Sequence, residues 1–193
     1  MIKGEKIRFD IHNILYTVYK FNKTLSNKGI QNIINQNNKD DISFLNNVIL
    51  NSMRFNLHSC KIINKYIKRK LKINEKILLI SAITQIVFLD FKEYAVVNCS
   101  VEIAKKLKIY HGLINATLKN ISKNKKKLKK IDINFDDLPF WFKDKAGSLS
   151  NNEKNIFLKN YINEPDLHIV FKSENNLERF EKILIKTSEV SGF

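Results

Sequence analysis

Five glycines and two prolines in 193 residues leave the chain few helix breakers. Their scarcity leaves room for long uninterrupted helices. Cysteine is also scarce. Cys60 and Cys99 form no C-x-x-C pair, so they read as two reduced, partly buried thiols of a cytoplasmic protein rather than a disulfide framework. The N-terminus becomes charged at once, with Lys3, Glu5 and Lys6, and has no apolar core of a targeting signal. The longest apolar stretch, 77–89, is too short to span a bilayer and is interrupted by Ser81, Thr84 and Gln85. Catalytic signatures are missing too. His12, His58, His111 and His168 lie far apart, and no metal-ligand spacing, G-x-G-x-x-G, P-loop or G-x-S-x-G occurs. The expectation is no catalytic residue, no metal and no cofactor held by this chain.

What the chain has is apolar residues and positive charge. A hydrophobic fraction of 44% suffices for an ordinary core. Thirty-four basic against nineteen acidic residues give a formal net charge of +15. Such a balance suits a polyanion, either nucleic acid or an anionic membrane surface. The chain is also generally rich in Lys, Asn and Ile, so the placement of the charge decides its meaning, not its sum.

Hydrophobic periodicity predicts seven helices. The first spans 5–21, with Ile7, Ile11, Ile14, Leu15 and Val18 on one face. Ser26 is the expected cap of a short second helix carrying Ile30, Ile33 and Ile34. Asp40 and Asp41 open a third, where carboxylates suit the positive end of the helix dipole. The fourth is expected over 57–70, and Asn74 is read as the cap of a fifth at 75–89. That fifth helix is apolar nearly all round, which places it centrally. The sixth and seventh are expected at 93–108 and 111–129. A connector follows at 132–162, with a turn-like acidic piece, a short segment around Trp141 and a helix capped by Ser150. Residues 165–172 alternate like a strand and 175–186 read as a helix. A lone strand has no sheet to join in this sequence, so it reads as the edge of another domain or as a tail on the bundle.

Three clusters of positive charge stand out. Between Lys119 and Lys130 lie seven lysines and no carboxylate. On a continuous helix Lys119, Lys123, Lys126 and Lys130 share one face, and their mutual repulsion is relieved by a polyanion. The second cluster is Lys61, Lys65, Lys68, Arg69, Lys70 and Lys72, with Tyr66 available either for the core or for stacking on a base. The third is Lys3, Lys6, Arg8 and His12; Arg8 can fork onto a phosphate or serve as an ordinary surface arginine near Asp10.

The segment YAVVNCSVEIAK at 94–105 resembles the NusB-family helix that reads roughly A-V-N-E-x-V-E-L-A-K, and LINATLKNI at 113–121 resembles the next helix, F-V-N-A-V-L-R. Arg8, Ile11 and Leu15 fit the family's opening A-R-x-x-A-x-x-x-L. The resemblance covers about the first 130 residues. It implies an all-α bundle that binds RNA. Two groups of the family are in view. One comprises stand-alone antitermination proteins with a ribosomal protein as partner. The other is the N-terminal region of RsmB-like (Sun, Fmu) rRNA cytosine-C5 methyltransferases. Gln85, LPFWF at 138–142 and PDLHIVFK at 165–172 resemble segments of the second group. The Gly-rich S-adenosylmethionine loop and the catalytic Pro-Cys of those enzymes are not in this chain, and Lys119 stands where the family usually has Arg. Charge is kept there but the planar fork is lost.

The expectation is therefore an all-α, NusB-like bundle of about seven helices at 1–131, a connector at 132–162 and a partial strand–helix start of a methyltransferase-type domain at 163–193. The expected RNA contacts are Arg8, Lys61, Lys65, Lys68, Arg69, Lys119, Lys123, Lys126 and Lys130. The expected partners are rRNA, with a ribosomal protein or a separate methyltransferase domain, and no membrane. Trp141 is expected to pack the connector on the bundle, and Asn115 to tie helices together.

Overall fold

The computed structural model describes residues 3–163. The chain divides into two compact units at Ile162/Asn163. The strand expected at 165–172 and the helix expected at 175–186 lie outside the described residues.

The first unit is helical throughout, and no strand occurs among the described residues. Its elements are α1 (Lys3–Phe21), α2 (Lys28–Asn35), α3 (Lys39–Arg54), α4 (Asn56–Tyr66), α5 (Ile73–Ile83), a π-helical turn (Thr84–Phe88), α6 (Glu93–Lys106), α7 (His111–Lys123), α8 (Lys125–Leu128), a 3-10 turn (Phe135–Asp137), α9 (Phe140–Lys145) and α10 (Asn151–Tyr161).

The periodic residues build the core as expected. Ile7, Ile11, Ile14 and Leu15 of α1 meet Leu45, Val48 and Ile49 of α3, Ile30 of α2 and Ile77 of α5. A second cluster gathers Ile62 and Ile63, Leu78, Leu79, Ile80, Ala82 and Ile83 of α5, Val96, Val97, Ile103 and Ala104 of α6, Ile114, Leu118 and Ile121 of α7, and Leu128. Helix α5 sends side chains into both clusters, which explains why it is apolar on every side. Cutting one fully buried isoleucine or leucine back to alanine in such packing costs about 2–5 kcal/mol.

Several boundaries differ from those the sequence suggests, each for a local reason. Asn27, not Ser26, caps α2 by accepting from the Gly29 N–H, while the Ser26 hydroxyl meets Thr24 Oγ1. Asn38 caps α3 ahead of the Asp40–Asp41 pair, accepting from the Asp41 N–H. Helix α4 ends at Tyr66, because Ile67 is extended (φ −126°, ψ 117°). Lys68 and Arg69 therefore leave the helix, so Lys61, Lys65, Lys68 and Lys72, which fall at helical spacing in the sequence, do not share one helical face. Asn74 is not the cap of α5. Residue 72 precedes the helix, and the Glu75 carboxylate accepts from its N–H at 2.9 Å. Past Ile83 the helix widens by one residue, so that the Leu89 N–H reaches Thr84 O at 3.0 Å. Asp90 then takes a left-handed conformation (φ 52°) and turns the chain toward α6.

Trp141 does not cover the bundle. Its ring is 68% exposed and touches Phe142 edge-on at 5.8 Å. Phe142 itself joins α9 to α10 by stacking on Phe157 at 4.9 Å. Ser150 caps α10 as the sequence indicates, with Glu153 closing a reciprocal capping box.

Candidate nucleic-acid interface

The lysine-rich segment is not one helix. α7 ends at Lys123, Asn124 leaves helical geometry (φ −110°, ψ 11°), and α8 supplies only one further turn. The single stripe of Lys119, Lys123, Lys126 and Lys130 is therefore broken after its second member. The apolar face survives the break: Leu118 and Ile121 are buried on α7, and Leu128 at the end of α8 turns back into the same core. The kink leaves a shallow depression of about 280 Å³ lined by Ser122, Lys123, Asn124, Lys125, Lys126 and Lys127. Lys123 and Lys126 both line it, although the helix is broken between them.

The seven lysines divide into two groups by their partners. Lys125 Nζ lies 2.8 Å from Glu93 and 4.0 Å from Asp90, and Lys129 Nζ lies 2.7 Å from Asp90. Those two tether the kinked segment to the turn before α6. Their ammonium groups hold Asp90 below the ordinary carboxylate range, Lys129 first. Lys119, Lys123, Lys126, Lys127 and Lys130 are exposed and form no ion pair among the described residues. The local field is thus positive and uncompensated at five side chains.

Two of the six residues of the second cluster, Lys61 and Arg69, are held by carboxylates. Lys61 donates to Asp137 Oδ2 at 2.7 Å and to the Asp132 carbonyl at 3.0 Å, fastening α4 to the 3-10 turn and the segment before it. Arg69 forks onto the buried Glu75, with Nη2 at 2.8 Å from Oε1 and Nη1 at 3.1 Å from Oε2. That fork is the main reason why Glu75 sits below its ordinary pKa. Lys65 and Lys68 remain exposed without a carboxylate, Lys68 donating to the Asn64 carbonyl at 2.9 Å. Tyr66 is half-buried against the core rather than presented to solvent.

Two members of the N-terminal cluster, Arg8 and His12, turn inward, while Lys6 stays exposed. Arg8 Nε donates to Gln85 Oε1 at 2.7 Å, Nη1 donates to the Gly4 carbonyl at 2.9 Å, and the guanidinium lies 5.2 Å from the Phe44 ring centroid. Gln85, in the π-helical turn, itself donates to Ser81 of α5. Arg8 thereby ties α1 to the π-helical turn and to Phe44 of α3, and its burial pulls its pKa down from the ordinary value. His12 is only 1% exposed. It is a core residue and not part of a surface. Asn115 is half-buried, and its side chain makes no hydrogen bond among the described residues, so it does not tie helices in the expected manner.

Sequence reasoning missed the neutralisation of Lys125 and Lys129. Their partners lie some thirty residues away, and no local pattern announces them. No group of His, Cys, Asp and Glu among the described residues has the arrangement to hold a metal ion. No described helix is long and apolar enough to cross a membrane.

The fold and this surface define an all-helical bundle with five exposed, unpaired lysines along the kinked α7–α8 segment and just after it. The NusB family model matches residues 7–123, more than half of the chain, and the protein belongs to the NusB family. Domains of that family are non-catalytic RNA binders. Comparison with curated proteins gives no match.

Proposed function

We propose that the protein binds RNA, directed at rRNA, through a phosphate-contacting surface centred on the kink between α7 and α8. The observation that carries the reading is the set of five exposed lysines without a carboxylate partner, Lys119, Lys123, Lys126, Lys127 and Lys130, set apart from the buried apolar face of the same segment. Lys65 and Lys68 supplement it. Arg8, Lys61 and Arg69 keep the bundle in shape, because their hydrogen bonds already have partners inside it. Lysines spread over a kink make point contacts rather than forks, which suits binding that follows the backbone more than base sequence.

Within the family, we favour an RNA-binding module that serves an rRNA cytosine-C5 methyltransferase domain, with residues 132–162 as its connector. The supporting observation is the apolar surface of that connector. Phe140 is 79% exposed, and Trp141, Ile156 and Ile162 are exposed as well. Such side chains on a short helical segment suit contact with a further protein surface. Antitermination with a ribosomal protein is the second reading, and the same exposed residues would serve it.

The test is binding of the full chain to rRNA fragments over a salt series. Wild-type affinity is expected to fall steeply with salt, by roughly 0.7–0.9 log units per phosphate contact for each log unit of salt. Combining Lys119→Glu, Lys123→Glu and Lys126→Glu is expected to abolish binding while the helical circular dichroism stays unchanged. Full affinity in that folded triple variant refutes the surface. Retention of a ribosomal protein by the nuclease-treated chain, with no RNA affinity, favours the second reading.

A further inference from the structure

The depression at the kink differs from a plain patch of surface lysines. Its volume of about 280 Å³ is lined by six consecutive residues, Ser122, Lys123, Asn124, Lys125, Lys126 and Lys127, and none of them is apolar. Clefts that take whole small molecules run from about 300 to 1,000 Å³ and have mostly apolar walls. This one suits a compact charged group instead. Its charges are unequally committed. Lys125 is paired with Glu93 at 2.8 Å. Lys123, Lys126 and Lys127 are exposed and meet no carboxylate among the described residues. Three like charges round one small volume repel one another, and an anion that carries several charges at one point relieves that repulsion best. Ser122 adds a further donor. Its Oγ is buried without a hydrogen-bond partner among the described residues. A hydroxyl rotates to suit an acceptor, and no protein group holds this one.

We infer that the kink is a discrete site for a terminal polyphosphate group, as carried by an untrimmed RNA 5′ end or by a free nucleoside triphosphate. The inference goes beyond the RNA-binding reading and rests on it only for the first of these two sources. A phosphodiester within a strand carries a single charge, and its neighbours are spaced along the backbone. A terminal triphosphate brings several charges together. Ammonium groups are point charges on flexible stems, so they can gather round such a group without the planar match that a guanidinium needs. Lys119 and Lys130 do not line the depression. They are left for the backbone phosphates of the strand that follows the end.

The experiment measures binding of the full chain to one RNA sequence prepared with a 5′-triphosphate and with a 5′-hydroxyl, at matched ionic strength so that screening cancels. Inorganic tripolyphosphate and ATP are titrated as competitors, with sulfate as the control anion. The triphosphate end is expected to bind about 10- to 100-fold tighter, the gain of one further charge-assisted contact. Tripolyphosphate should compete far better than sulfate. Combining Lys126→Gln with Lys127→Gln is expected to erase the preference with the helical circular dichroism unchanged, since both side chains are exposed. Lys130→Gln, outside the depression, should weaken both RNAs by the same factor. Equal affinity for the two ends, a preference kept by the double variant, or sulfate competing as well as tripolyphosphate overturns the site while leaving the lysine surface standing. Tripolyphosphate and ATP binding as tightly as the triphosphate RNA supports the site and assigns it to the free nucleotide. A chain that binds tripolyphosphate but neither RNA removes the RNA-binding reading and leaves the site, and a chain that binds none of them removes both.

Discussion

His12 gives a sharp test of the packing between α1 and its neighbours. The ring is buried, and neither nitrogen has a hydrogen-bond partner. Burial pulls its pKa from 6.5 down to about 4; the nearby Asn74 side chain opposes the shift without meeting either nitrogen in hydrogen-bond geometry. A histidine held neutral in the fold but free to protonate when unfolded favours the unfolded chain as pH falls below about 6.5. The loss grows until the folded pKa is reached, then levels off. A displacement from 6.5 to about 4 corresponds to about 2 kcal/mol at pH 5 and about 3 kcal/mol once both states are protonated. The perturbation is His12→Leu, which removes the titrating group and two unsatisfied nitrogens together. Urea unfolding of both proteins at pH 7.5, 6.0 and 5.0 separates the effects. The variant is expected to equal or exceed the wild type at pH 7.5, since an unpaired buried polar group costs about 1–3 kcal/mol. Its advantage should widen by about 2 kcal/mol at pH 5. Other carboxylates and His58 titrate in both proteins and cancel in the difference. A stability difference that stays flat from pH 7.5 to 5 shows that the ring is solvated or partnered, and the packing argument fails.

The remaining predictions address the other polar contacts. Arg8→Ala is expected to lower stability by about 1.5–3 kcal/mol in urea unfolding, through the lost Gln85 and Gly4 bonds; in conditions where the variant is fully folded, its RNA affinity should stay within about twofold. Glu75 has a folded pKa below its ordinary value, chiefly because of Arg69, so it stabilises the fold at neutral pH and loses that effect as pH falls through the folded pKa. Glu75→Gln should therefore be less stable than wild type at pH 7 and lose the difference in acid, as read from melting temperatures between pH 7 and pH 3. Trp141→Ser should leave stability within about 0.5 kcal/mol, because the exposed ring is not part of the core; a larger loss means that the ring packs on the bundle after all.

The sequence determined the helical class, the two core-forming faces of α1 and α3, and the central place of α5. These follow from local rules: apolar residues recurring at the helical period, and polar residues wherever the chain meets water. It also located the lysine tract, because a run of one charge sign is a property of the chain itself. The resemblance carried by 94–105 and 113–121 led to the family that the matched residues 7–123 establish.

Tertiary structure alone decided which charges are available. Arg8 and Arg69 look in sequence much like the free lysines, yet each spends its donors on a partner brought near by folding, Gln85 seventy-seven residues away and Glu75 across a turn. Lys125 and Lys123 stand two residues apart, and only one meets a carboxylate, because the Asp90 turn faces one side of the kink. The break at Asn124 is equally beyond the hydrophobic pattern, since Leu128 continues the apolar face whether or not the helix runs straight. Periodicity constrains how a segment meets the core; ion pairing depends on distances across the fold, and those exist only once the helices have packed.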